Sequence, residues 1–498
     1  MRRVSAQQES PARIAERTAA DGRPAGTITR ILEENGTLVL VVAAFAAVMI
    51  THLKNALAAD GWMALLSGRV VAQHGLPAHE TITIWAHGRD WIDQQWLAQL
   101  ALYGLDRLGG LQLVLLVHAA LVTAGLAAAA VLARRIGGSA RSATWVALPV
   151  LVAFWPGAAV MRPQSFAYVL FVAVLWLLID DLRAPSRRVY LILPLLVLWA
   201  NLHGSVIVGS ALASGYGLVE LGEPLWKRRT AQARSIVLLA APWLCMLASP
   251  YAPQLPRYYH EIFSSSFGSY VTEWAPTTLT LLHAPVYLLA LGGLWLLGRT
   301  RGTTSLFEKL AFVGVSLLAF DAVRNMVWLG LLSLVLLPRL VDELRAPAVE
   351  PKAMNRLLSL AMLAGVVVAT LGVALKPASW FTQQYPAAAG NAAAAAAGAR
   401  GKVFANERYA DWLVFEHPDL AGRIAYDSRF ELLTSKQLRS VTEFRNLVAG
   451  WHSTIGRYRV LVLDRGDDHE PAKALLKARE ARVVKRQGPV VVLLQKTR

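Results

Sequence analysis

Apolar runs long enough, or nearly long enough, to cross a bilayer recur along this chain to about residue 375 and then stop. They fall at roughly 37–53, 111–133, 143–160, 165–179, 189–203, 205–221, 235–249, 285–298, 306–320, 326–338 and 357–375. The pattern predicts about eleven helical spans, some short enough to be tilted or merged. The first run, "GTLVLVVAAFAAVMITHL", has no small-residue cleavage site after it and is read as a retained helix.

The polar stretches between the runs are unequal. The first is long, residues 54–110, and includes "NALAADGWMALLSGRVVAQHGLP", too polar to cross a bilayer and too apolar for an ordinary loop. Trp62, Leu65, Leu66 and Val70 recur at helical spacing, as do Trp96, Leu100 and Tyr103 in "WIDQQWLAQLALYGLDRLGG". Both segments are expected to be amphipathic helices in the membrane interface, with Trp85, Trp91 and Trp96 at headgroup level. After residue 375 an Ala-rich stretch, 376–400, reads as a linker or short helix. In 401–498, strand-like "GKVFAN", "RIAYDS", "RVLVLD", "ARVVKR" and "PVVVLLQ" alternate with helical "ERYADWLVFEHP", "LLTSKQLRSVTEFRNLVAG" and "EPAKALLKARE". The expected fold class is therefore mainly α: a polytopic helical membrane domain, 37–375, followed by a small α/β soluble domain, 401–498.

Composition agrees. Of 498 residues, 55% are hydrophobic and 17% charged, below the roughly 25% of a soluble protein. Mean hydropathy is +0.41. The single cysteine, Cys245, rules out an internal disulfide and a cysteine zinc site. The net charge of +17 would suggest nucleic acid in a soluble protein, but here its location matters more. Arg2, Arg3, Arg13, Arg17, Arg23 and Arg30 mark residues 1–36 as a basic tail. Alternate connections carry Arg134, Arg135 and Arg141; Arg183, Arg187 and Arg188; Lys227, Arg228, Arg229 and Arg234; Arg299, Arg301 and Lys309; and Arg339, Arg345, Lys352 and Arg356. The positive-inside rule puts this set in the cytoplasm, with the N-terminus inside and the C-terminal domain outside. No nucleic-acid partner is expected.

The unusual residues gather in the other connections, on the outer face: Asp60; Arg162 in "MRPQSF"; Asn201 and His203 in "WANLHGSV"; Glu273 in "VTEWAPT"; and Arg324 in "FDAVRN". Taken singly, each has an ordinary reading. Asp60 before Gly61 suits a helix cap; Arg162 and Arg324 suit snorkelling anchors; Asn201 and His203 suit a hairpin break. Their shared face favours a site.

This layout resembles the GT-C superfamily of multi-pass glycosyltransferases, which includes the protein O-mannosyltransferases and lipid A aminoarabinose transferases. The carrying features are Asp60 in "LAADGWMALLSG" after the first span, the long loop ending in "WLAQLALYGL", and the C-terminal soluble domain. "RPQSFAYVLF", "LWANLHGS" and "VTEWAP" look more closely like a group of largely uncharacterised bacterial multi-pass proteins usually placed in that superfamily. The likeness departs in two places. O-mannosyltransferases put a second acid directly after the first, where this chain has Gly61. The oligosaccharyltransferase branch has a metal-binding D-x-D in an outer loop, and none is present here.

The resemblance implies a transferase in the bacterial plasma (inner) membrane whose site faces outward. Its donor would be a polyprenyl-phosphate-linked sugar, and its acceptor a hydroxyl on lipid, glycan or protein. Asp60 would act as general base; Arg162, His203, Arg324, Glu273 and Asn201 would bind donor phosphate or sugar. No cofactor is required by this scheme, and a divalent metal, with Glu80, Asp90 or Asp93 as a second carboxylate, stays open. A glycan polymerase or ligase would use the arginines without Asp60. A transporter would place ionisable groups at mid-membrane. A scaffold would need none of these residues.

Overall fold

A computed structural model describes residues 27–222, 229–264, 270–300, 304–344 and 352–496. Most of the basic N-terminal tail, and Lys227, Arg228, Arg301 and Arg345 of the basic connections, lie outside the described residues. Each of the eleven apolar runs forms a helix: Gly36–His52, Trp96–Arg135, Ala140–Ala158, Gln164–Arg183, Ile192–Leu202, Val206–Gly222, Arg229–Met246, Ala284–Arg299, Leu306–Asp321, Met326–Asp342 and Lys352–Ala374. Among the described residues, five stretches are long and apolar enough to cross a membrane by length and composition: Gly36–Asn55, Trp96–Arg135, Gln164–Arg183, Val323–Asp342 and Ala353–Ala374.

The helix Met326–Asp342 is the hub of the bundle. Trp328 is 1% exposed, and its ring meets those of Phe171, Tyr168 and Trp199 at centroid distances of 5.2, 5.8 and 6.0 Å. Such aromatic pairs add about 0.5–1.5 kcal/mol each beyond burial. At the basic end of the bundle the charges are paired: Arg339 with Glu308 at 2.6 Å, Arg234 with Asp181, and Asp342 with the Ser139 and Ser142 hydroxyls at 2.6 Å.

The second segment of 54–110 is a helix distinct from the next span, as expected: within Trp96–Arg135 the helix breaks at Gly109–Gly110, where Gly110 has φ 65°, a conformation that costs glycine little. One expectation for this stretch is corrected. The first segment, Ala59–His74, does not lie with one face in lipid. Trp62, Leu65 and Leu66 are at most 2% exposed, covered by Trp96–Arg135 and by the C-terminal helix Glu407–Glu416.

The C-terminal residues build a four-stranded sheet: β1 Val403–Ala405, β2 Val460–Asp464, β3 Ala481–Gln487 and β4 Val490–Gln495, in the order β1-β2-β4-β3. β1 and β2 are parallel; β2 with β4 and β4 with β3 are antiparallel. The alanines of 387–397 form a helix that packs on this sheet, with Ala389, Ala393 and Ala397 fully buried. "RIAYDS" is not a strand. Ile424 makes single bridges to Val403 of β1 and to Thr83 of the first long loop: residues 423–425 pair with β1, Val403 N–H donating to the Arg423 carbonyl and Ala425 N–H to the Val403 carbonyl at 2.9 Å each, and the loop pairs along their outer side.

The first loop is thereby docked on the C-terminal domain. Ile84 N–H and Trp85 N–H donate to the carbonyls of Ile424 and Ala425 at 2.8 and 3.0 Å, and Gly422 N–H donates to Ile82 at 2.8 Å. Trp85, expected at headgroup level, instead stacks on Tyr426 at 5.0 Å and donates to the Tyr458 hydroxyl at 2.7 Å. Trp91 lies under the Arg429 guanidinium at 4.3 Å. Arg429, 3% exposed, pairs with Glu80 at 2.7 Å and with Asp427 at 2.5 Å. The neighbouring Asp411 is 1% exposed, and burial with Asp427 nearby pushes its carboxyl well above the usual range.

Removing one partner of a buried ion pair leaves the others uncompensated, at about 3–5 kcal/mol. Arg429→Met is therefore expected to lower the melting temperature of the full-length protein by several degrees and to open the 75–95 loop to limited proteolysis. An unchanged melting curve and digestion pattern would show that Arg429 does not fasten the loop.

Candidate functional site

The six residues singled out in the sequence come from five connections, and the fold gathers them at one end of the bundle. Asp60 sits in the first turn of Ala59–His74. It is not the cap. The cap position is Ala58, and Asp60 makes no side-chain capping bond, so its carboxylate stays available. At the helix N-terminus it is also favoured by the helix dipole.

The turn carrying Arg162 is stitched to the segment before Asp60 by Met161 N–H donating to the Ala56 carbonyl at 2.8 Å. Gly61 packs closely against this turn. A Cβ there would meet Leu57 Cδ1 at 3.0 Å, Met161 Cε at 3.1 Å and the Met161 carbonyl at 3.4 Å, so the ends of the Leu57 and Met161 side chains would have to give by a few tenths of an ångström. Ser165 closes the turn by donating to the Arg162 carbonyl at 2.8 Å, and the buried His118 ring bridges Ser165 Oγ at 2.7 Å and the Ala158 carbonyl at 3.0 Å.

Arg162 joins two acids. Nη1 and Nη2 donate to the two oxygens of Glu273, with Nη1 at 2.7 Å. Nε lies 2.9 Å from Asp60 Oδ2, but its N–H finds no hydrogen-bond acceptor, so Asp60 is an ion-pair partner rather than an aligned hydrogen-bond acceptor. The side chains of Asp60 and Glu273 keep 39% and 35% of their surface accessible, against 19% for Arg162. Burial raises the Glu273 carboxyl, but the Arg162 charge and hydrogen bonds, with Arg324 adding to them, carry it below the usual range. Arg162 is disfavoured as a cation by burial, yet Asp60 and Glu273 more than offset that and hold it fully charged.

Glu273 lies in the turn Thr272–Trp274, and Arg324 in Val323–Asn325. The two turns are held together by Val323 N–H to Ala275 at 3.1 Å, Thr277 N–H to Phe320 at 3.0 Å and Thr277 Oγ1 to Ala319 at 2.6 Å. Arg324 rests over the Trp274 ring at 4.3 Å, within electrostatic reach of Glu273, Arg162, Asp60 and Tyr258. Its guanidinium makes no hydrogen bond to the described residues, so five donors are left for a ligand.

His203 ends the helix Ile192–Leu202. Its Nδ1 accepts from the Ser205 backbone N–H at 3.1 Å and contacts Ser205 Oγ at 2.8 Å, which places the proton of the neutral ring on Nε2. Burial, with Arg324 and Arg162 nearby, pushes its pKa down to about 3. The ring is thus a neutral hydrogen-bond donor at physiological pH. Asn201 does not offer its side chain. Its Oδ1 accepts from Trp96 Nε1 at 2.9 Å, and its Nδ2 donates to Val197 and Ala248 carbonyls at 2.9 and 2.8 Å. It joins helices behind the site.

Tyr258 and Trp274 were not anticipated as site residues. Trp274 was legible only as part of "EWAP". Tyr258 had no signal, because its place depends on Gln94 of the first loop donating to its hydroxyl at 2.5 Å. Among the carboxylates left open for a metal, Glu80 binds Arg429 at 2.7 Å, Asp90 pairs with the exposed His79 at 3.4 Å, and Asp93 is 2% exposed. Among the described residues no three His, Cys, Asp or Glu side chains are grouped as a metal would need.

Against known proteins, no family model matches the sequence and no curated protein matches it. Solved structures do match in fold. The oligosaccharyltransferase of Archaeoglobus fulgidus superposes with a TM-score of 0.51 at 10% identity, over 86% of this chain and 69% of that one. ArnT from Cupriavidus metallidurans bound to undecaprenyl phosphate gives 0.49 at 17% identity, over 92% and 98%. The chain thus shares its overall fold with the archaeal oligosaccharyltransferase.

A histidine whose folded pKa lies near 3, against 6.5 unfolded, stabilises the fold above pH 6.5 and loses that stability as pH falls toward 3. The melting temperature is expected to drop between pH 7 and pH 5, and His203→Gln to flatten that drop. An equally steep fall in His203→Gln would show that His203 titrates normally.

Proposed function

We propose that the protein is an integral membrane glycosyltransferase that moves a sugar from a polyprenyl-phosphate donor to an acceptor hydroxyl. The observation that carries this reading is the pairing, at one accessible site, of a carboxylate free to accept a proton with two arginines, one of which has all its donors unengaged. The fold, shared with an oligosaccharyltransferase, supports it.

The chemistry follows from the residues. The acceptor oxygen attacks the anomeric carbon, the bond from that carbon to the phosphate oxygen breaks, and polyprenyl phosphate leaves. The acceptor proton passes to Asp60. Charge develops on the leaving phosphate, where Arg324 and the accessible edge of Arg162 supply planar forks of donors. His203 adds one neutral N–H from Nε2. Glu273 holds Arg162 and orients a sugar hydroxyl; Asn201 keeps Trp96 and the His203 turn in place. The site opens on the extracytoplasmic side of the bacterial inner membrane, where nucleotide sugars are absent and a lipid-linked donor is the available form. The first 36 residues lie in the cytoplasm, and the domain from about 401 onward lies outside.

Three strains test this: a deletion, one restored with the native chain, and one restored with Asp60→Asn. Their polyprenyl-phosphate lipids and envelope glycans are compared by mass spectrometry. The deletion and Asp60→Asn strains are expected to accumulate one lipid-linked sugar and lose one glycan, with the Asn protein present at normal level. Native behaviour of Asp60→Asn would remove the base and favour a polymerase or ligase.

A further inference from the structure

The first long loop does more than dock on the C-terminal domain. Just beyond Trp91, which the Arg429 guanidinium covers at 4.3 Å, the loop reaches the turn that carries His203. It meets that turn on both sides. Before His203, Trp96 Nε1 donates to Asn201 Oδ1 at 2.9 Å. After it, the Gln94 side chain lies directly on Gly204.

The Gln94 amide is held at both ends. Nε2 donates to the Tyr258 hydroxyl at 2.5 Å, and Oε1 accepts from the Tyr259 hydroxyl at 3.4 Å. Tyr259 also donates to the Gly204 carbonyl at 3.3 Å. Both tyrosines belong to the helix Leu255–Ser264. One side chain from the first loop therefore joins that helix to the His203 turn.

Gly204 leaves the space for it. A Cβ there would run into Gln94 Oε1 and would lie 2.7 Å from Cδ and 2.9 Å from Nε2, closer than real Cβ atoms come. The amide is the far end of a flexible side chain, so it is the part that would yield. An alanine at 204 would swing Gln94 aside and break its hydrogen bonds without forcing the backbone. The glycine in "LHGS" thus answers to a residue 110 positions earlier in the chain.

What this grip holds is His203. Its Nδ1 is engaged within its own turn by Ser205, and its Nε2 has no partner among the described residues. The direction of the free N–H is therefore set by where the turn sits. Hydrogen bonds weaken steeply when misaligned, so a small shift of the turn would forfeit this one.

We propose that Gln94 is a positioning residue for the transferase site: it holds the His203 turn against the helix Leu255–Ser264 so that Nε2 faces the donor phosphate or sugar, and glycine at 204 is what admits it. This rests on the transferase reading above. It makes the first loop, anchored in the C-terminal domain, part of the donor site.

The test is a mutant cycle. Gln94→Ala, Gly204→Ala and their combination join the strain panel, and each full-length protein is assayed in lipid nanodiscs for undecaprenyl phosphate binding and melting. Gln94→Ala is also combined with His203→Ala. Each of Gln94→Ala and Gly204→Ala is expected to weaken binding by about threefold to tenfold, as the loss of one hydrogen bond does, and to lower the glycan with it, while melting stays close to native. Gly204→Ala should add nothing to Gln94→Ala, because the side chain it displaces is already gone, and Gln94→Ala should add nothing to His203→Ala. A merely structural residue would act independently of His203. Additive losses in either pair, or a large fall in melting in Gln94→Ala, overturn the inference. Should His203→Ala not fold, the Gln94–Gly204 pair still decides. Native binding and glycan in both single variants, beside a defective Asp60→Asn strain, overturn the inference and leave the transferase standing. No lipid-linked sugar in the deletion strain overturns both.

Discussion

The site depends on one cation placed between two acids. Arg162 offers a planar fork to Glu273 and its Nε edge to Asp60. Three separate segments are tied together by that one side chain. A buried guanidinium is stable only with such partners, and each acid is stable near the membrane only with such a cation. The arrangement leaves distinct roles for the rest. Each Glu273 oxygen accepts from Arg162, Asp60 is close but not aligned, and Arg324 sits on Trp274 with its donors unengaged. Attraction without full neutralisation is what a site for a phosphate and a nucleophilic hydroxyl requires.

The eleven apolar runs were legible because burial in lipid or in a helix bundle demands continuous hydrophobicity, and all eleven are helices. The candidate residues were legible for a different reason. Asp60, Arg162, His203, Glu273 and Arg324 are polar groups at the ends of apolar runs, where an ordinary loop would not need them. Their pairings were not legible, because Arg162 and Glu273 are 111 residues apart. The same holds for Trp85 and Trp91. Tryptophan suits both a headgroup belt and a protein interface, and only the position of Tyr426 and Arg429 decides between them. Asn201 was read with His203 as one motif, but its amide bonds Trp96 and two carbonyls, a structural duty that local sequence does not distinguish from a binding one.

The C-terminal domain is more than an appendage. Residues 423–425 pair with the β1 edge of its sheet, and the first loop pairs with them in turn through Thr83 and Ile424. Arg69, on the helix that begins with Asp60, donates to the carbonyls of Phe415 and Val414 at 2.8 and 2.9 Å. The helix that presents the proposed base is thus held by the C-terminal domain at one end and by the Arg162 turn at the other. Rigid placement of this kind suits catalysis, where small displacements of a reacting group cost large factors in rate.

The most direct test of the central claim is the binding of undecaprenyl phosphate to the full-length protein in nanodiscs, native against Arg324→Met. Methionine keeps an apolar body on Trp274 and removes the donors. The account predicts saturable binding by the native protein and binding weaker by about tenfold or more in the variant. Equal binding by the two, or none by the native protein, would contradict it.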